Sequence, residues 1–247
     1  MARAPDSGPD DQAPSVRRAL VVAALVVLAV RHVVPFGGTI LYPFTLLGTW
    51  VHEMGHGVTA LLVGGTFLSL DIFRDASGLA HMTAPRGVAS ALVAIGGLLA
   101  PPLVGASILV LARGSRRSRV VLLALAAALV LSLALWVRTL AGWIAMPLVA
   151  ALVAGFALWG SPRERLVFAQ FVGLLLGLDT IARIDYLFTA TATVNGREQP
   201  SDIAAVVAEM GSIIPVWGAL IALVGLSALY LALRVAWRTT APAPRAP

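Results

Sequence analysis

A chain of 247 residues that is 59% hydrophobic and only 12% charged, with a mean hydropathy of +0.89, does not have the make-up of a soluble domain, in which about half the residues are apolar and about a quarter charged. The net charge is +6, but the arginines behind it stand singly or in short clusters at the ends of apolar runs, where they set membrane topology, which argues against a nucleic-acid partner. The absence of cysteine rules out disulfides and thiolate metal ligands.

The long uncharged runs predict an all-α polytopic membrane protein of about 6–7 transmembrane helices. Residues 1–15 and 239–247, rich in proline and alanine, read as disordered tails around a single transmembrane domain over 16–238. The first apolar run, 19–30, spans only if Arg17, Arg18 and Arg31 snorkel. Arg31-His32 stands where a signal peptide would carry its small-residue cleavage site, so a retained anchor is expected. A second span covers 40–62, with Pro43 in its first turn. Residues 63–87 change character, with a Gly pair, β-branched and aromatic residues and four charges. They predict a short β-hairpin or re-entrant segment, whose backbone must be covered by protein or water. Further spans are expected at 88–112, 119–137, 142–160, 165–189 and 212–234, with a polar loop over 190–211. The arginine-rich connectors at 113–119 and 161–165, and the flank of Arg234 and Arg238, fall on one side of a seven-span chain, which is therefore the cytoplasmic side. An anchor that only lies in the interface would place the N-terminus there too. Arginine as the sole basic residue, with abundant alanine, resembles proteins of GC-rich bacteria and suggests a bacterial plasma membrane.

The second span holds TWVHEMGHGV, residues 49–58. His52 and His56 are four residues apart, so both imidazoles project from one helix face about 6 Å apart, as two ligands of one Zn2+ require. Glu53, beside the first histidine, is placed to take a proton from a water rather than to bind metal. Ionisable groups in a membrane helix cost roughly 2.5–3.5 kcal/mol each on insertion scales and so point to function. The competing reading has two neutral histidines and a glutamate packed at a polar helix interface. Catalytic zinc needs a third protein ligand. Asp179 is a candidate by depth: it lies roughly 21 Å into its span, and the histidines roughly 18–24 Å into theirs, at 1.5 Å per residue. Asp179 can equally form a structural pair with Arg183 one turn later.

With these residues in place the chain resembles the site-2 protease family of intramembrane zinc metalloproteases, in its short branch without a PDZ domain. LYPFTLLGTWVHEMGHGVTALLVGG resembles the family's signature helix, SGLAHM its β-like segment and GGLLAPPLVGA its glycine-rich span. GLLLGLDTIARIDYLF is similar to the helix carrying the aspartate ligand, and the stretch from Gln199 to Leu223 to the branch's ending, matching at Ser201, Asp202, Pro215, Trp217 and Gly218. The resemblance implies zinc bound by His52, His56 and Asp179, Glu53 as general base, and hydrolysis of membrane-spanning substrates within the bilayer. Two departures stand out: Thr180 follows Asp179 where the family has glycine, and no Asn-Pro element precedes it. Gly96, Gly97 and Pro215 are expected to shape the site or the substrate path, or, for the glycines, simply to let helices pack closely. Asp202 is expected to gate or hydrogen-bond at its entry, or to serve only with Ser201 as a helix cap. His81 is expected to be solvated. The alternative function is a non-catalytic membrane scaffold that keeps a structural metal.

Overall fold

The computed structural model describes residues 29–30 and 33–238; both tails and most of the expected anchor lie outside them. After a single helical turn, Gly37–Ile40, helix α1 runs Tyr42–Leu62 with Pro43 in its first turn, where the missing N–H leaves no bond unmade. Just past its end come Gly64, with φ +83°, and Gly65, where any Cβ would strike the Thr83 carbonyl.

The chain then forms the expected hairpin, β1 Thr66–Ile72 and β2 Gly78–Thr83, paired antiparallel with Leu70 opposite Ala80. The far edge of β1 is covered by the segment around Val137: Leu70 N–H donates to the Trp136 carbonyl at 2.8 Å, and Arg138 N–H to the Leu70 carbonyl at 3.1 Å. The far edge of β2 faces α1, and there Ala80 N–H donates to Glu53 Oε2.

Helices α2 Val88–Leu111, α3 Ser115–Leu135 and α4 Leu140–Trp159 follow. Pro101 and Pro102 lie inside α2, tolerable where neighbouring helices shield the freed carbonyls. Helix α5, Pro162–Gly177, opens with a capping box in which Ser161 and Glu164 satisfy each other's backbone N–H. The last helix, α7, runs Ile214–Arg238. Four of these helices, α2, α3, α4 and α7, are long and apolar enough to cross a membrane. Helix α2 is the hub, packing on α1, α5 and α7; its Gly105 comes within backbone contact of Gly173 and Gly177 on α5. Trp50 ties α1 to α3, its indole N–H donating to Ser132 Oγ at 2.8 Å, in a core with Leu46, Leu70 and Leu129.

Two expectations change. The span expected over 165–189 is broken: α5 stops at Gly177, and only a turn, Asp179–Ala182, and a 3-10 turn, Ile184–Phe188, follow. The polar groups Asp179, Arg183 and Asp185 cluster there and face the cleft described below. The expected polar loop is structured, with a second hairpin, β3 Thr191–Val194 and β4 Arg197–Pro200, and helix α6 Asp202–Met210.

Candidate metal centre

His52 and His56 meet at their Nε2 atoms, 3.1 Å apart, with the rings nearly perpendicular. The third group at this point is Asp202, the first residue of α6: Oδ2 lies 3.1 Å from His52 Nε2 and Oδ1 3.4 Å from His56 Nε2. Among the described residues, one donor atom from each of these three falls within 4.8 Å of the others. Ligands about 2.0 Å from a tetrahedral ion stand about 3.3 Å apart, close to the spacing seen. His56 Nδ1–H donates to the Val93 carbonyl at 2.9 Å, which leaves a lone pair on Nε2, the tautomer that a metal ligand requires. Two nitrogens and a carboxylate aimed at one point form a donor set able to hold a metal ion.

Neighbouring elements fix each donor. A Cβ on Gly97 would collide with the His56 imidazole, so α2 carries glycine where it passes the ring, while Gly96 makes room for Thr59. Ser201 caps α6, accepting from Ala204 N–H at 3.2 Å and donating to the Thr189 carbonyl at 2.6 Å. The Tyr186 hydroxyl donates to Asp202 Oδ2 at 2.9 Å.

Glu53 is 7% exposed and sits beside the donors, its Oε2 accepting from Ala80 N–H on β2 at 2.8 Å. Gly78 allows this approach, since a Cβ there would lie 2.7 Å from both Glu53 Cγ and Thr49 Cγ2. The centre opens into a cleft of about 440 Å3, lined by residues of β2 and β3 together with Asp179, Arg183 and Tyr186.

Asp179 is not with the histidines. Its Oδ1 accepts from Arg183 Nε at 3.0 Å, and Arg183 Nη2 also reaches Thr49 Oγ1 at 3.4 Å. The carboxylate expected to complete the donor set is therefore held as the partner of an arginine one turn on, and Asp202 stands in its place. A polar residue following a serine at a helix start looks like an ordinary cap, which is why sequence pattern alone did not mark Asp202 as a donor. Tyr186 carried no local signal. Pro215 lies in the first turn of α7 and is exposed, outside the cleft lining. His81 pairs with Asp71 across the first hairpin at 2.9 Å and is largely exposed.

The Peptidase M50B-like family matches the chain over residues 19–232, so the protein belongs to that family, within the site-2 protease group. No curated protein and no solved structure matches it at significance. The family and the four apolar helices together make it an integral membrane protein of a metallopeptidase family.

Proposed function

We propose that the protein is an intramembrane zinc metalloprotease in which His52, His56 and Asp202 hold the metal and Glu53 is the general base. The observation that carries this reading is the meeting of two imidazoles and a carboxylate beside a buried glutamate, in the lining of a cleft. Zinc in such a site supplies Lewis acidity, polarising a carbonyl and acidifying a water. The chain's own groups do the rest. Ala80 N–H holds Glu53 Oε2, so Oε1 is left to accept the proton and later deliver it to the leaving amine. Tyr186 and the Ser201 cap keep the Asp202 carboxylate aimed at the histidines. Substrates are proteins with a membrane-spanning helix, locally unwound so that an extended stretch reaches β2 beside Glu53. A zinc assay joined to peptide cleavage tests the reading: Glu53→Gln keeps the metal and loses cleavage, while Asp202→Ala loses both.

A second reading, a scaffold with a structural metal, draws on the Glu53–Ala80 hydrogen bond, which gives Glu53 a structural task as well. On that reading Glu53→Gln leaves the protein's function intact.

A further inference from the structure

The hairpin β3–β4 has no part in the chemistry above, yet residues 191–194 of β3 line the same cleft as residues 78–80 of β2. Its turn is Asn195-Gly196, with φ +48° and +72°, the two-residue type I′ turn that closes tight hairpins. In such a hairpin the residues flanking the turn, Val194 and Arg197, exchange both hydrogen bonds. The next pair, Thr193 with Glu198, and the pair Thr191 with Pro200, therefore turn their backbone groups outward. Proline opposite Thr191 fits this alternation, because it has no N–H to give.

The same alternation applies to β2. Leu70 bonds outward to the 136–138 segment and Ile72 outward to Thr139. Their partners Ala80 and Gly78 must likewise point away from β1, and Ala80 N–H does so, toward Glu53. Two outward strand edges thus line one cleft. The hairpins touch at their tips, where Asn195 N–H donates to Ser77 Oγ at 3.1 Å. Ser77 is itself held by Asp75 through both its N–H and its hydroxyl.

The base of the second hairpin is joined directly to the metal centre. Tyr186 lies just before it and Asp202 just after it, and the two are hydrogen-bonded to each other. Ser201 N–H also donates to the Ala190 carbonyl at 2.9 Å.

We infer that β3 is the second edge of a peptide-binding groove, so that an extended segment of substrate lies between β2 and β3 and hydrogen-bonds to both. This rests on the protease reading. The occupant is a polypeptide backbone, because outward-facing strand edges bind main chain whatever its side chains; on β2 the Ala80 N–H is already held by Glu53, so the segment meets the other outward groups there. A substrate that enters from the membrane has no free end nearby, so the Asn195–Ser77 contact opens to admit it.

The probe is a single-span peptide of about 20 apolar residues with a central Gly-Gly pair and a fluorophore at one end. Its binding to Glu53→Gln protein is followed by anisotropy. Thr193→Pro removes an outward N–H without breaking the β3–β4 ladder, and Thr193→Val is its control. Thr193→Pro weakens binding at least tenfold, with metal content unchanged, and Thr193→Val leaves it within twofold. In the cysteine-free chain, Ser77→Cys with Asn195→Cys blocks binding when oxidised and restores it on reduction. Equal binding by Thr193→Pro, or by the oxidised protein, overturns the groove while leaving the protease reading intact. A wild type that neither binds nor cleaves the peptide fails the protease reading, and the groove falls with it.

Discussion

The Tyr186 hydroxyl and His52 Nε2 converge on one oxygen, Asp202 Oδ2, from 2.9 and 3.1 Å. A phenol that donates to a carboxylate restricts the directions in which that carboxylate's lone pairs can point. Groups that orient a metal ligand in this way typically account for 10–100-fold in affinity. Tyr186→Phe keeps the ring against His52, 6.4 Å between centroids, and removes only the donor. Zinc affinity should fall by about 10–100-fold, measured by competition with a fluorescent chelator. An unchanged affinity would reduce Tyr186 to a packing residue.

Gly97 makes a steric prediction. A Cβ there meets the His56 ring, and the ring cannot retreat while Nδ1–H is bound to the Val93 carbonyl. Gly97→Ala should therefore lose most bound metal, whereas Gly38→Ala, where nothing lies within 4 Å, should bind like the wild type. Metal per chain in the two variants decides the matter.

Glu53 serves both the fold and, on the proposal, the chemistry. In Glu53→Gln the side-chain carbonyl can still accept from Ala80 N–H, so the hairpin stays docked. Cleavage should fall by about 10²–10⁴-fold, the usual contribution of a general base, with metal content and thermal midpoint nearly unchanged. A variant that cleaves at the wild-type rate would favour the scaffold reading.

The Trp50–Ser132 bond predicts a purely structural effect. Both residues are buried, at 5% and 1% exposure, so Ser132→Ala leaves the indole N–H unpaired in the core at a cost of about 1–3 kcal/mol. Denaturation in detergent should register this loss, and metal binding should not change.

Much of this was legible in the sequence, for local reasons. The i, i+4 histidines with Glu53 need only one helix, and that helix forms. The Gly pair and β-branched run after α1 become the first hairpin, at Thr66–Ile72 and Gly78–Thr83. What was not legible is mostly tertiary. Asp179 and Asp202 are both acidic residues downstream of the motif, and depth along an idealised helix favoured the first. That helix stops at Gly177, so the depth argument had no continuous span to act on, and Arg183 took the Asp179 carboxylate. Asp202 reaches the histidines because a hairpin folds back between it and Tyr186. Asn195-Gly196 was the local signal for that hairpin, a two-residue turn after a run rich in β-branched residues, hidden within a stretch that looked merely polar.

On the proposed reading Asp202, and not Asp179, completes the donor set. Zinc per chain should be measured in detergent-purified protein after metal-replete expression, for wild type, Asp202→Ala and Asp179→Ala. About one zinc is expected in the wild type, little in Asp202→Ala, and near wild-type content in Asp179→Ala, whose loss breaks only a partly exposed ion pair. Loss of zinc in Asp179→Ala with retention in Asp202→Ala would contradict that reading.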